Sequence, residues 1–344
     1  MSTERNRPND WDDAVSRLVA VLKTNPSVLI TAPQEADGDS VGAQLALRRM
    51  VLALDPTRRV AIVNDKPCPP RYRFLPDSDR METPASLAPG ASFDIGIVLD
   101  GGIDRIGTVR PLYEGCKIRV SIDHHAVRES FPYDIDLYAP DVSSTAEMVA
   151  RIIERVPWRV PLTQTLAAQL YLGIVYDTGL FRHSNTQPST LRLAARLLES
   201  GFDFTRVAEV GLLERSYTAQ KIVAHVLSTA QRDSSGRLIW GVLSLEDLER
   251  HHATAEDREG IIDQLLLTRG VEIALFFSEA EGGRVKVSFR SKGDFDVATL
   301  ARELGREGFG GGGHRKAAGC SLPGPLPEVV SRVVDRLRGD LART

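Results

Sequence analysis

The sequence predicts an α/β fold in two domains, the first a parallel sheet with helices on both faces and the second a smaller α/β unit joined to it by a linker. Three observations predict it. Short apolar runs at 27–31, 59–63, 95–99 and 117–122 alternate with helical patterns, the order that builds crossover units and a parallel sheet. That alternation lapses near residue 203, and strand-like runs resume beyond it. A length of 344 residues, 42% hydrophobic and 26% charged, is ample for two globular domains.

Taken in order, residues 12–24 read as an amphipathic helix and 43–54 as the helix that follows the strand at 27–31. Residues 67–89 are rich in proline and turn formers and read as an irregular excursion over the surface. Residues 143–155 and 162–176 read as helices, and Ser143 or Ser144 with Glu147 fits a capping box. A further helix spans 190–199 and ends at Gly201. Residues 203–220 lack a sheet pattern and read as the linker, which sets the expected domains at 1–202 and 221–344. In the second domain, strands are expected at 222–227, 238–243, 271–277 and 285–289, with helices at 257–267 and 297–304.

Composition excludes several classes of function. Residues 1–13 are polar with no apolar signal core, and no later run approaches the length that spans a bilayer, so a cytoplasmic protein with no membrane partner is expected. Cys68, Cys116 and Cys320 are too sparse for a disulfide framework or a zinc knuckle. A formal net charge of −3 speaks against coating long nucleic acid by phosphate neutralisation. With only 21 aromatic residues, an extended base-stacking channel is also disfavoured. A short anionic substrate needs only a local basic patch, and residues 284–344 carry twelve Lys or Arg against seven Asp or Glu. Arg290, Arg315 and Lys316 are the candidates there; Arg332, Arg336 and Arg338 read as a solvated helix face.

The chemistry-bearing residues stand where apolar segments end. Ser121-Ile-Asp-His-His closes the run at 117–122, Asp37-Gly38-Asp39 follows the strand at 27–31, Asp100 ends the run at 95–99, and Asp177 follows the apolar stretch 166–176. In a parallel α/β sheet, ligands bind beyond the carboxyl ends of the strands, so these groups can converge in one crevice. A single aspartate there is more simply a helix cap or turn former. Four such positions, one with two adjacent imidazoles, point to a two-metal site.

These motifs together resemble the DHH phosphoesterase superfamily, and within it the NrnA-like branch of oligoribonucleases and pAp phosphatases. The resemblance covers nearly the whole chain. It takes in Asp37-Gly38-Asp39, Asp100, Ser121 to His125, Ser143-Ser-Thr-Ala-Glu147 and Gly173-Ile-Val-Tyr-Asp-Thr-Gly-Leu-Phe-Arg182. Farther on, Phe289-Arg-Ser291 and Gly310 to Gly319 (GGGGHRKAAG) resemble the family's DHHA1 domain.

The resemblance implies two divalent cations, Mn²⁺ by preference with Mg²⁺ or Co²⁺ as alternatives, and a substrate of very short RNA, a dinucleotide or pAp. By the same resemblance Asp100 bridges the ions, Asp37 binds the first, and Asp39, His124 and Asp177 bind the second. Asp123 would orient a neighbouring imidazole, and His125 would contact the scissile phosphate. Arg290, Ser291, Gly311, Gly312, Gly313 and His314 would hold the far end of the substrate. One departure stands out: Pro33 occupies the place of the family's first metal-binding histidine, and its neighbours Gln34 and Glu35 are the nearest oxygen donors in sequence. Hydrolysis of linear or cyclic dinucleotide signals, an inorganic pyrophosphatase activity and a regulatory nucleotide binder with a decayed metal site are the competing readings. Oligomeric state stays open, with a homodimer among the options.

Overall fold

In a computed structural model the protein is described over residues 11–125, 130–254 and 256–341, apart from the side chains of Glu256 and His314. The chain divides into two compact units, which meet in sequence at Glu214 and Arg215.

The first unit is built on six parallel strands, β1 (Ser27–Thr31), β2 (Arg59–Val63), β3 (Met81–Glu82), β4 (Ile95–Leu99), β5 (Ile118–Asp123) and β6 (Ile135–Tyr138), in the order β3-β2-β1-β4-β5-β6. Its helices are α1 (Trp11–Thr24), α2 (Gly38–Leu54), α3 (Arg110–Glu114), α4 (Thr145–Ile153), α5 (Gln164–Asp177), α6 (Pro188–Leu198) and α7 (Phe204–Ala208). Strand alternation sorts the core into two layers. Val28 and Ile30 face a large cluster with Leu45 of α2, Val149 of α4 and Leu172 of α5, while Leu29 and Val98 face a smaller one around Tyr113 and Cys116.

Helices α2 and α5 pack closely because glycines permit it: a Cβ on Gly42 would lie 2.3 Å from the carbonyl oxygen of Gln169. The strand order reverses direction between β1 and β4. In a doubly wound sheet that switch point opens a crevice beyond the strand ends.

The second unit holds α8 (Tyr217–Thr229), α9 (Leu245–Arg250), α10 (Ile261–Leu266), α11 (Val297–Gly305) and α12 (Leu326–Leu341). They cover a six-stranded mixed sheet made of β7 (Gln231–Arg232), β8 (Leu238–Leu243), β9 (Ile273–Ala280), β10 (Arg284–Ser291), β11 (Gly311–His314) and β12 (Ala317–Pro323), ordered β11-β12-β10-β9-β8-β7. Only β8 and β9 pair in parallel. Phe277, Val287 and Phe289 pack with α11 and α12, and Ile239 and Phe276 pack with α8 and α10.

Two expectations are corrected. Residues 222–227 are not a strand but the middle of α8, whose buried residues Ala219, Ile222, Val223 and Val226 recur at helical spacing. The segment 203–220 is not an unstructured linker: α7 and a π turn over Glu209–Leu213 lie in the first unit, with Phe204 edge-on to Tyr171, and α8 opens the second. The run Gly311–His314 is an edge strand. There a Cβ on Gly311 would lie 2.1 Å from the Ala301 carbonyl oxygen, so glycine is what lets β11 approach α11. Cys68, Cys116 and Cys320 are buried free thiols. Among the described residues no helix is long and apolar enough to cross a membrane.

Candidate metal centre

Strands β1, β4 and β5 deliver their carboxyl ends to the switch point, and each end carries one of the acidic motifs. Asp37 caps α2 just after β1; its Oδ1 accepts from the backbone of Asp39 and Ser40, both at 3.0 Å. Asp39, one residue into the helix, is fully buried. Both of its oxygens accept backbone N–H groups from the start of α4, Thr145 at 2.6 Å and Ala146 at 2.8 Å. This is the favourable meeting of a carboxylate with a helix N-terminus.

Asp100 follows β4 at φ +62°, a left-handed conformation that a non-glycine residue holds only under constraint from its surroundings. The constraint is visible in the side chain: Oδ2 accepts from the Ser40 hydroxyl at 2.5 Å and Oδ1 from the Thr145 hydroxyl at 3.2 Å.

From the end of β5, His124 lies with Nδ1 3.3 Å from the Val142 carbonyl oxygen, an arrangement in which the ring donates there and turns Nε2 toward the carboxylates. Nε2 is 3.0 Å from Asp177 Oδ2 and 3.7 Å from Asp100 Oδ1, yet it is buried without a hydrogen bond. Asp123, fully buried, accepts from the backbone N–H of His125 at 3.1 Å and lies 2.8 Å from its Nδ1, contacts that orient the ring. Asp177 ends α5, and its carbonyl oxygen lies 3.0 Å from His183 Nδ1 and accepts from Asn185 Nδ2 at 3.2 Å.

The donors form two groups of three with ligand atoms within 4.8 Å of one another: Asp100, His124 and His125, and Asp39, His124 and Asp177. His124 belongs to both. Electrostatics favours a cation here. Burial first, then Asp100 and Asp177, push the Asp37 carboxyl up; burial, Asp177 and Asp100 do the same to Asp39. Burial opposes the Asp100 charge too, but His124, His125 and Ser40 hold its carboxyl at about 2. For His124, burial works against the imidazolium and the carboxylates of Asp100, Asp177 and Asp39 outweigh it, pushing its pKa up. Asp39, Asp100 and Asp177 crowded on two imidazoles, with a buried ring nitrogen aimed among them and Asp37 outside both groups, fit a divalent ion of mixed oxygen and nitrogen preference.

Pro33 is buried at the foot of this site, its Cγ 3.1 Å from where a Gly101 Cβ would stand. The side chains of its two neighbours make other contacts. Gln34 donates to Asp65 at 3.0 Å, and the 82% exposed Glu35 carboxylate pairs with Lys66.

Two models of known families match the chain, the "DHH family, N-terminal domain" over residues 27–174 and the "DHHA1 domain" over 237–342. A protein of Thermus thermophilus described as a bifunctional oligoribonuclease and PAP phosphatase NrnA is 33% identical over 98% of this chain and 97% of its own. The chain belongs to the DHH phosphoesterase family. Among solved structures, an exopolyphosphatase-related protein from Bacteroides fragilis shares the fold at a TM-score of 0.86 and 23% identity, covering 94% of this chain and 95% of that one. RecJ from Thermus thermophilus in complex with Mn²⁺ does so at 0.56 and 15% identity, over 99% of this chain and 56% of that one.

Within this DHH chain, the sequence reading missed the residues that hold the donors in place. Ser40 and Thr145 support Asp100, and Asn185 bonds the carbonyl oxygens of both Ser143 and Asp177. Glu147 accepts from the hydroxyls of Ser143 at 2.6 Å and Thr190 at 2.7 Å and from Arg151 at 2.7 Å, while Ser144 alone caps α4. A serine in the first turn of α2 and a threonine opening α4 could have signalled the first two. A loop asparagine gives no such signal.

In the DHHA1 unit, Arg290 and Ser291 close β10; the Arg290 guanidinium donates to Asp263 at 3.0 Å, while the Ser291 hydroxyl donates to the Phe295 carbonyl oxygen at 2.9 Å. Arg290 and His314 both pair with Ala317 across adjacent strands, which brings their backbones to one level of the sheet. The His314 side chain lies outside the described ones. Gly312 is open to additional atoms; Gly311 and Gly313 are filled by neighbouring backbone.

Proposed function

We propose that this chain is a metal-dependent phosphoesterase that degrades very short RNA to mononucleotides and converts pAp to AMP. The two overlapping donor groups that share His124 carry the reading. The named activities of the Thermus relative, nearly as long and 33% identical, supply the substrate class. Two divalent cations, Mn²⁺ by preference, would supply charge neutralisation and Lewis acidity at phosphorus.

The residues divide the work. Asp39, His124 and Asp177, one of the two donor groups, would hold one ion, and Asp100 with the neighbouring Asp37 would hold the other. Asp123 orients the His125 ring, whose outer nitrogen would face the scissile phosphate. In the second unit, Arg290, Ser291, the backbone of Gly311 to Gly313 and His314 hold the distal nucleotide. Gly312, open to additional atoms, would admit a phosphate close to backbone N–H groups, and Arg290 would add a charge-assisted contact.

The test uses a 5′-phosphorylated RNA dinucleotide and pAp with wild type and Asp100→Ala across Mn²⁺, Mg²⁺ and Co²⁺, following chain shortening, phosphate release and bound metal. Wild type should turn over both substrates, while Asp100→Ala loses turnover and bound metal together. Metal-independent turnover, or undiminished turnover by the variant, sinks the reading.

A further inference from the structure

A cavity of about 630 Å³ opens in the first unit between α4 and α6. Four arginines line it, Arg151 in α4 and Arg155 just past its end, and Arg192 and Arg196 in α6, against two carboxylates, Glu147 and Glu154. Glu147 is already fully engaged: it is 2% exposed and bonded by Ser143, Thr190 and Arg151. Arg196 pairs with Glu154, and Arg155 with the 74% exposed Asp12. Exposed pairs of this kind contribute little and are readily exchanged for another anion. Arg192 makes no ion pair and no side-chain hydrogen bond among the described residues.

The spacing selects a ligand. On α6 the two arginines are four residues apart, about one helical turn along the axis, and Arg151 and Arg155 bear on the groove from α4 and the turn after it, so a single phosphate reaches one turn of the groove and linked phosphates span more of it. Guanidinium forks match phosphate oxygens two at a time. The volume is that of a small-ligand site rather than a strand-binding channel.

We propose that this groove binds a linear polyphosphate, inorganic or carried by a nucleoside, through residues separate from the metal centre. Free polyphosphate also binds divalent ions, so the full chain is titrated calorimetrically in divalent-free buffer with orthophosphate, tripolyphosphate and ATP. Tripolyphosphate is expected to bind at one site at least about tenfold more tightly than orthophosphate, the scale of one added charge-assisted contact. Arg192→Ala should weaken it by about as much, the double variant Arg192→Glu with Arg196→Glu should remove it, and Arg290→Ala should leave it unchanged. Equal affinity for ATP and tripolyphosphate assigns the site to the phosphate chain itself; tighter ATP binding assigns it to a nucleotide. The proposal is overturned if wild type shows no saturable binding below millimolar tripolyphosphate. It is equally overturned if binding survives the double variant, folded by circular dichroism, or is lost in Arg290→Ala.

Discussion

Thr145 donates its backbone N–H to Asp39 Oδ2 at 2.6 Å although the two residues are 106 positions apart in the chain. The first turn of α4 is therefore part of the metal centre without contributing a ligand. Whatever fixes that turn also fixes Asp39. Glu147, in the same turn, ties it to Ser143 and, through Thr190, to α6.

Glu147→Ala should lower stability by about 2–4 kcal/mol, because buried donors and the Arg151 guanidinium lose their acceptor. Glu147→Gln should cost less. Burial raises the Glu147 pKa, but the Ser143 and Thr190 hydroxyls and Arg151 hold it below the usual glutamate range. A depressed folded pKa means that the stabilisation is present above the unfolded value, about 4.3, and is lost as pH falls through the folded one. Chemical denaturation at a series of pH values should show a shallower acid loss in Glu147→Gln than in wild type. Parallel curves would refute the assignment.

Gly173→Ala should damage the metal centre from behind. The added methyl would lie 2.4 Å from Asp39 Oδ1 and 2.5 Å from the Ala146 Cβ, in a region already close-packed. Overpacking costs about 1–3 kcal/mol, and the atom that yields is a proposed ligand. Melting temperature and Mn²⁺ affinity by calorimetry should fall together. A variant with normal affinity and lowered stability would show that Asp39 is not what moves.

Arg290→Ala should behave in the opposite way. Its pair with Asp263 is partly exposed on both sides, so stability should change by less than about 1 kcal/mol. Bound metal should stay at the wild-type level, while KM for a dinucleotide rises by about tenfold through loss of a charge-assisted contact. Loss of metal with KM unchanged would contradict the proposed division of labour between the two units.

Much of the site was legible because β1, β4 and β5 are apolar runs that stop at a carboxylate or at Asp123-His124-His125. In a parallel sheet those stops share one edge of the molecule. Periodicity failed where the apolar run was short: residues 222–227 look strand-like in isolation, and only Ala219 with Val226 reveals the helical face of α8. Gly311 to Gly313 carry no side chains, so nothing in their pattern distinguishes an edge strand from a loop. The supporting bonds to Asp39 come from backbone N–H groups, which every sequence possesses. Such contacts are fixed by tertiary packing and leave no residue type as a trace.

Pro33 should leave one half of the metal centre short of a ligand. A proline offers no side-chain donor, Gln34 and Glu35 are engaged with Asp65 and Lys66, and the Pro33 ring packs against the backbone just after Asp100. The ion near Asp37 and Asp100 should therefore be the weaker of the two. Pro33→His should lower the free Mn²⁺ needed for half-maximal activity by about tenfold, the scale on which single groups around a metal act, with no change in substrate preference. Replacement also releases the fixed φ of position 33 and the restriction on Ala32, so Pro33→Ala serves as the control for loop loosening. If calorimetry shows both ions held equally tightly in wild type, and histidine brings no gain over alanine, then the shell is complete without an imidazole and the weak-site argument fails.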